Sequence, residues 1–280
     1  MMKRIHIKPL VLFCVMTLST TECRQETKKQ QESDNEIVTV YSHGYMCNKW
    51  FAKFFHTDIK HPNKANPHAF ILGHMESFNY ADWFNPFLCR LGQGDDIERL
   101  HEACKKHAKV IIVGTSRGAA AIANYLGTYK PTNIMGVVLE SPFDDGNNVA
   151  DNVMAQCPIT DKEGAKKTMT QLFFSNYDPA GMQPIKAAPH INTQIPMLII
   201  CSESDGLIPA SSTINLYNAL RASGHTRVHL LVCKYGSHGR ILWSKDGKTF
   251  KNVVHAFYKQ YNLPYHELWA QEGLERFQEC

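Results

Sequence analysis

From residue 37 onward, short uninterrupted apolar runs alternate with longer segments of helical character. The runs are residues 37–41 (IVTVY), 69–72 (AFIL), 110–113 (VIIV), 136–139 (GVVL), 197–201 (MLIIC) and 228–233 (VHLLVC). They are rich in Val and Ile and show little polar alternation, the pattern of strands buried on both faces. Between them, residues 95–108 read as an amphipathic helix, with Asp95 and Asp96 at its positive end and Lys105, Lys106 and His107 at its negative end. The alanine-rich segment 119–126 reads as a closely packed helix. Residues 211–223 form a helix with Ser211 or Ser212 as N-cap and Gly224 just past its end. Two more, about 252–261 and 266–277, finish the chain. Such alternation predicts an α/β fold, a mainly parallel sheet with helices on both faces. Residues 49–59 read as an aromatic-rich first helix or loop, and 75–91 hold Phe78, Tyr80, Trp83, Phe84 and Phe87 with no clean period. Residues 145–195 are poor in strand pattern and rich in Asn, Asp, Pro and Lys.

Composition adds bounds. With 280 residues and 44% hydrophobic content, the chain fits one globular domain with an insertion. A formal charge of +4 without a long basic run gives no footprint for nucleic acid. The N-terminus departs from the rest: Lys3, Arg4 and Lys8 precede an apolar run at 10–18, then Ser19, Thr20 and Thr21. That is the order of a secretory signal peptide over residues 1–23, and the run is too short for a comfortable bilayer span. Its removal would take away three basic residues and one acidic one, leaving about +2. The expectation is a secreted or periplasmic protein. Glu22 fits poorly as the small residue that lipoprotein processing requires before a cysteine, which disfavours a lipid anchor through Cys23. Residues 24–36 (RQETKKQQESDNE) read as a solvated linker, leaving 37–280 as the folded domain. Export would permit disulfides among the nine cysteines, although Cys201 and Cys233, inside strand runs, read as buried thiols. No zinc-type ligand spacing occurs, and neither metal nor cofactor is expected.

The chemistry concentrates at strand ends. The run at 110–113 leads into Gly114-Thr115-Ser116-Arg117-Gly118, a G-x-S-x-G between a strand and a small-residue helix. A serine there is lifted above the sheet in strained geometry; otherwise it would merely cap the helix. A serine hydroxyl needs a base, and the base needs an acid to fix its tautomer. Asp205 follows the strand at 197–201, and His238 follows the strand at 228–233 in a loop with Gly236 and Gly239. Glu203, Asp144 and Asp145 are rival acids. His225, His229 and His255 are weaker rivals for the base because they precede or lie within an element.

With Ser42-His43-Gly44-Tyr45 closing the first strand, these motifs resemble the α/β-hydrolase superfamily over about residues 37–261. The resemblance implies a short sheet of about six strands and a short cap insertion at about 145–195. It also implies a Ser116–Asp205–His238 triad acting through an acyl-serine intermediate without a cofactor. The oxyanion would be met by the backbone N–H groups of Arg117 and Tyr45, with Met46 an alternative to Tyr45, while His43 orders its loop. The expected partner is a small-molecule or lipid ester, the enzyme being of esterase, lipase or lysophospholipase type. A serine peptidase of the same fold, an acyltransferase and a non-catalytic binding protein are the alternatives. The aromatics from Phe78 to Phe87 would line an acyl pocket or pack on the sheet. The Arg117 side chain would meet an anionic group or tie down neighbouring loops.

Overall fold

The computed structural model describes residues 36–45, 47, 49, 70–82, 85, 87–156 and 160–280. Readings that concern residues 1–35, Met46, most of 49–59, Trp83, Phe84 and Cys157 lie outside them. In chain order the elements are β1 (Ile37–Ser42), β2 (Met75–Ser77), α1 (Asp95–Cys104), β3 (Lys109–Thr115), α2 (Arg117–Tyr129), β4 (Ile134–Glu140), α3 (Gly146–Gln156), α4 (Lys162–Phe173), α5 (Pro184–Ala187), β5 (Met197–Ser202), α6 (Ala210–Ala222), β6 (Val228–Cys233), α7 (Gly247–Gln260) and α8 (Glu267–Gln278).

All six strands pair in parallel, in the order β2-β1-β3-β4-β5-β6. The four inner strands are buried on both faces, which explains their lack of polar alternation. One face (Val40, Val110, Ile112, Val137, Leu139, Met197, Ile199) packs on α1, α2 and α6. The other (Tyr41, Ile111, Val113, Val138, Leu198, Ile200) packs on α7 and α8. Each such side chain contributes about 1.5–3 kcal/mol when taken from water. Strand order reverses between β1 and β3, and in an open parallel sheet the crevice at the carboxyl ends beside such a reversal is where ligands bind.

The segment between β4 and β5 holds α3, α4 and the short α5. It is tied back to the segment before α1 by a bridge between Leu88 and Phe174 and by the Ser175 and Asn176 side chains on the carbonyls of Phe87 and Leu88. Under it lies a third apolar cluster, including Cys89, Leu91, Phe143, Phe174, Tyr177 and Ile208, with Tyr45 and Leu207 packed against it.

Several boundaries differ from the sequence reading. The edge strand is Met75–Ser77, and the described part of the run expected there, residues 70–72, lies outside it; Phe70 and Ile71 are apolar because they are buried beneath α7, where Phe70 meets Phe250 edge-on at 5.3 Å. Helix α1 ends at Cys104, and α7 begins at Gly247. Cys47, Cys89, Cys104, Cys201, Cys233 and Cys280 are free thiols.

Candidate active site

Ser116 sits at φ 55° and ψ −119°, a conformation L residues rarely adopt. Three close approaches define the turn. A Cβ on Gly118 would fall 1.9 Å from the carbonyl oxygen of Ser42, so only glycine lets α2 come this near β1. A Cβ on Gly114 would meet Ile122 at 2.5 Å and the Gly118 backbone at 2.8 Å. The Ser116 N–H donates to the Glu140 carbonyl at 2.9 Å, fixing the turn to β4. The Ser116 side chain makes no capping bond to α2, which frees its hydroxyl for another partner.

That partner is His238. The Ser116 hydroxyl lies 2.7 Å from His238 Nε2, and His238 Nδ1 lies 2.8 Å from Asp205 Oδ2. The tautomer that satisfies both carries its proton on Nδ1, donates it to the carboxylate and leaves Nε2 to accept from the serine. Asp205 is fixed in turn: its Oδ1 accepts from the N–H groups of Leu207 and Ile208, each at 2.9 Å. Burial works to raise its pKa, but the hydrogen bond and charge of His238 and the two backbone donors outweigh it. The carboxyl is held below the usual carboxylate range. Ser116 and Asp205 are each 8% exposed.

The rivals are used elsewhere. Asp144 accepts from the Ser212 hydroxyl and from Asn215, and Asp145 caps its own turn through Asn147. His225 and His255 are buried, and His229 pairs with Tyr261. The loop after β1 runs against the turn, since a Cβ on Gly44 would lie 3.5 Å from the Thr115 carbonyl oxygen and 3.7 Å from Ser116 Cβ. Tyr45 follows, its ring 5.8 Å from that of Phe174 just past α4. His43 Nδ1 donates to the Gly44 carbonyl at 2.9 Å, and burial lowers its pKa to about 4, so the ring is neutral and orders the loop.

The Arg117 side chain is not offered to solvent. It donates to Asp96 Oδ2 at 2.8 Å and Oδ1 at 2.5 Å and to Asp82 Oδ1 at 2.8 Å, beneath the ring of Tyr80 at 4.3 Å. It ties down neighbouring segments, the second of the two roles open to it. Of the aromatic stretch, Tyr80 is fully buried and bonds Ser42, Phe78 packs against the sheet core, and Phe87 is exposed. Three residues at the site went unnoticed as such in the sequence: Asp82, Asp96 and Glu140. Among the described residues, no group of three or more His, Cys, Asp or Glu side chains is gathered as a metal ion would need.

No family model matches the chain, and no curated protein matches its sequence. Solved structures do. An esterase from Pyrococcus furiosus is similar over 82% of this chain and 85% of its own, with a TM-score of 0.58 at 16% identity. An acylaminoacyl peptidase from Pyrococcus horikoshii is similar over 84% of this chain but only 39% of its own, with a TM-score of 0.58 at 16% identity. An alpha/beta hydrolase enzyme from a Medee basin deep-sea metagenome library is similar over 83% and 92%, with a TM-score of 0.51 at 20% identity. Likeness at such identities is likeness of fold: the chain has the α/β-hydrolase fold.

Proposed function

We propose that this chain is a serine hydrolase that cleaves carboxylic esters through an acyl-serine intermediate. The observation that carries the reading is His238, whose ring nitrogens bridge Ser116 Oγ at 2.7 Å and Asp205 Oδ2 at 2.8 Å. His238 takes the serine proton as Oγ attacks the acyl carbon. The backbone N–H groups of Arg117 and Tyr45 meet the oxyanion, and His238 returns the proton to the leaving alcohol. Water then enters by the same route and releases the acid. Asp205 keeps the ring in the required tautomer and favours its charged form.

The apolar cluster under the segment between β4 and β5, with Phe174, Leu207 and Ile208 close in sequence or contact to Asp205 and Tyr45, favours an apolar acyl group. The neighbour named an esterase supports the ester reading. A peptidase is the second reading, favoured by the likeness to the acylaminoacyl peptidase. On the strength of residues 1–23, the proposed setting is extracytoplasmic. No helix among the described residues is long and apolar enough to cross a membrane.

The test is fluorophosphonate labelling with Ser116→Ala as control, followed by nitrophenyl esters from acetate to palmitate. Labelling lost in the variant, with turnover of the esters, is the expected result. Labelling with cleavage of peptide substrates but not of esters would transfer the reading to peptidase. An unlabelled, folded wild type would overturn it.

A further inference from the structure

Glu140 closes β4 with 3% of its surface exposed. A carboxyl buried so deeply persists only where partners compensate for its lost hydration. Its two oxygens reach two separate parts of the site. Oε1 accepts from the backbone N–H of Ile241 at 3.3 Å, three residues beyond His238. Oε2 accepts from the hydroxyl of Thr115 at 3.1 Å, the residue before Ser116, and Thr115 Oγ1 is itself 2.9 Å from the Tyr41 hydroxyl. Its carbonyl oxygen receives the Ser116 N–H. One residue therefore fastens the turn that carries the nucleophile to the loop that carries the base. Asp205 already fills the place of the acid that touches His238.

We propose that Glu140 is a positioning residue of the reaction, holding the His238 loop against the Ser116 turn and favouring, by its negative charge, the imidazolium formed when His238 takes the serine proton. The inference rests on the hydrolase reading above.

The titratable groups facing Glu140 are His238 and Asp205, with Tyr41 on β1 and Cys233 on β6. Burial, reinforced by the Glu140 charge, pushes the Tyr41 phenol and the Cys233 thiol upward, and both stay neutral. His238 and Asp205 are left as the charges that matter. Burial pushes the Glu140 carboxyl up as well. The Ile241 N–H, the Thr115 hydroxyl and the charge of His238 pull against that rise and Asp205 adds to it, and the carboxyl stays above the usual carboxylate range. The coupling is mutual: a proton on His238 favours the carboxylate, and the carboxylate favours that proton.

The experiment is the rate of Ser116 labelling by a fluorophosphonate as a function of pH, on the full-length chain. Labelling needs a neutral His238, so on this proposal the acid limb follows the charge at Glu140. Glu140→Gln keeps the shape but removes the charge, and should move that limb down by roughly one pH unit. Glu140→Asp keeps the charge and should hold the limb near its wild-type position, even where its shorter reach lowers the plateau rate. Thr115→Val removes one donor, makes the carboxylate harder to form and should move the limb in the same direction by a smaller amount. It serves as the deciding variant if Glu140→Gln does not fold. An unmoved limb in Glu140→Gln, or in Thr115→Val where that variant decides, overturns the proposal while leaving the hydrolase reading intact. So do equal shifts in Glu140→Gln and Glu140→Asp. A wild type that is never labelled removes the hydrolase reading, and this inference with it.

Discussion

At Ser116 the backbone is in a region that costs a non-glycine residue about 1–3 kcal/mol. The cost is met by contacts that exist only if the turn is made: the Ser116 N–H on the Glu140 carbonyl, the approach of Gly118 to Ser42, and the hydroxyl on His238. Two substitutions separate strain from chemistry. Ser116→Ala removes the hydroxyl but keeps a Cβ in the same conformation; Ser116→Gly removes both. Glycine gives back part of the relief through the greater freedom of its unfolded chain, about 0.5–1 kcal/mol. The expected result, read by urea unfolding, is a Ser116→Gly protein more stable than Ser116→Ala by about 1 kcal/mol, with neither variant labelled. A glycine variant of equal or lower stability would mean that the strain at this turn does not exceed the entropy that glycine costs.

Between elements, the closest approach at any described glycine is α2 against β1 at Gly118. An alanine there would put its Cβ 1.9 Å from the Ser42 carbonyl oxygen and 2.8 Å from that of His43, both backbone atoms of the strand and loop that carry Gly44 and Tyr45. Gly118→Ala should cost about 3 kcal/mol or more, or prevent folding. Gly206→Ala, at a position where no atom lies within 4 Å of the new Cβ, should stay within about 0.5 kcal/mol of wild type, both variants being read by urea unfolding. Much at this scale could be read from the sequence, because burial on both faces leaves a continuous apolar run, and β1, β3, β4, β5 and β6 each carry one. The positions of Ser116, Asp205 and His238 followed from strand ends. The strand β2 did not follow: three residues at an edge, paired on one side, leave no period, while Phe70 and Ile71 owe their apolar character to packing under α7. Asp82 and Asp96 lie 35 and 21 residues from Arg117, in a segment without period and in the first turn of a helix, where an acid is expected for other reasons. Only the folded chain brings them together. Glu140 was visible as a charge ending a buried strand, but nothing local said which loops it would reach.

Across the folded unit as a whole, three histidines from different places are buried: His43 after β1, His225 before β6 and His255 on α7, at 2%, 1% and 0% exposure. Burial lowers the pKa of each, to about 4, about 4 and about 3, helped at His225 by the charge of Arg221. The unfolded chain takes up protons at the ordinary histidine pKa near 6.5 and the folded chain does not. Their effect on stability is therefore absent above about pH 6.5, and stability falls as the pH drops from there towards about 4. The depressed Asp205 carboxyl works lower down: its contribution is present above the ordinary aspartate pKa and is lost as the pH falls through its folded value. The raised Asp96 and Glu140 carboxyls pull the other way, since the folded state holds their protons more tightly. A comparison of two proteins differing at one histidine cancels those opposing groups. His225 suits it because neither of its buried ring nitrogens has a hydrogen-bond partner among the described residues, so His225→Leu gives up no bond to them and little volume. At pH 7.5 the variant should be more stable than wild type by about 1–2 kcal/mol, the cost of an unpaired buried polar group. Below pH 6.5 its advantage should grow by about 1.4 kcal/mol per pH unit until the folded histidine itself titrates. Urea midpoints at pH 7.5, 6 and 5 read both effects. An advantage that stays constant with pH would show that His225 binds its proton equally in the folded and unfolded chain.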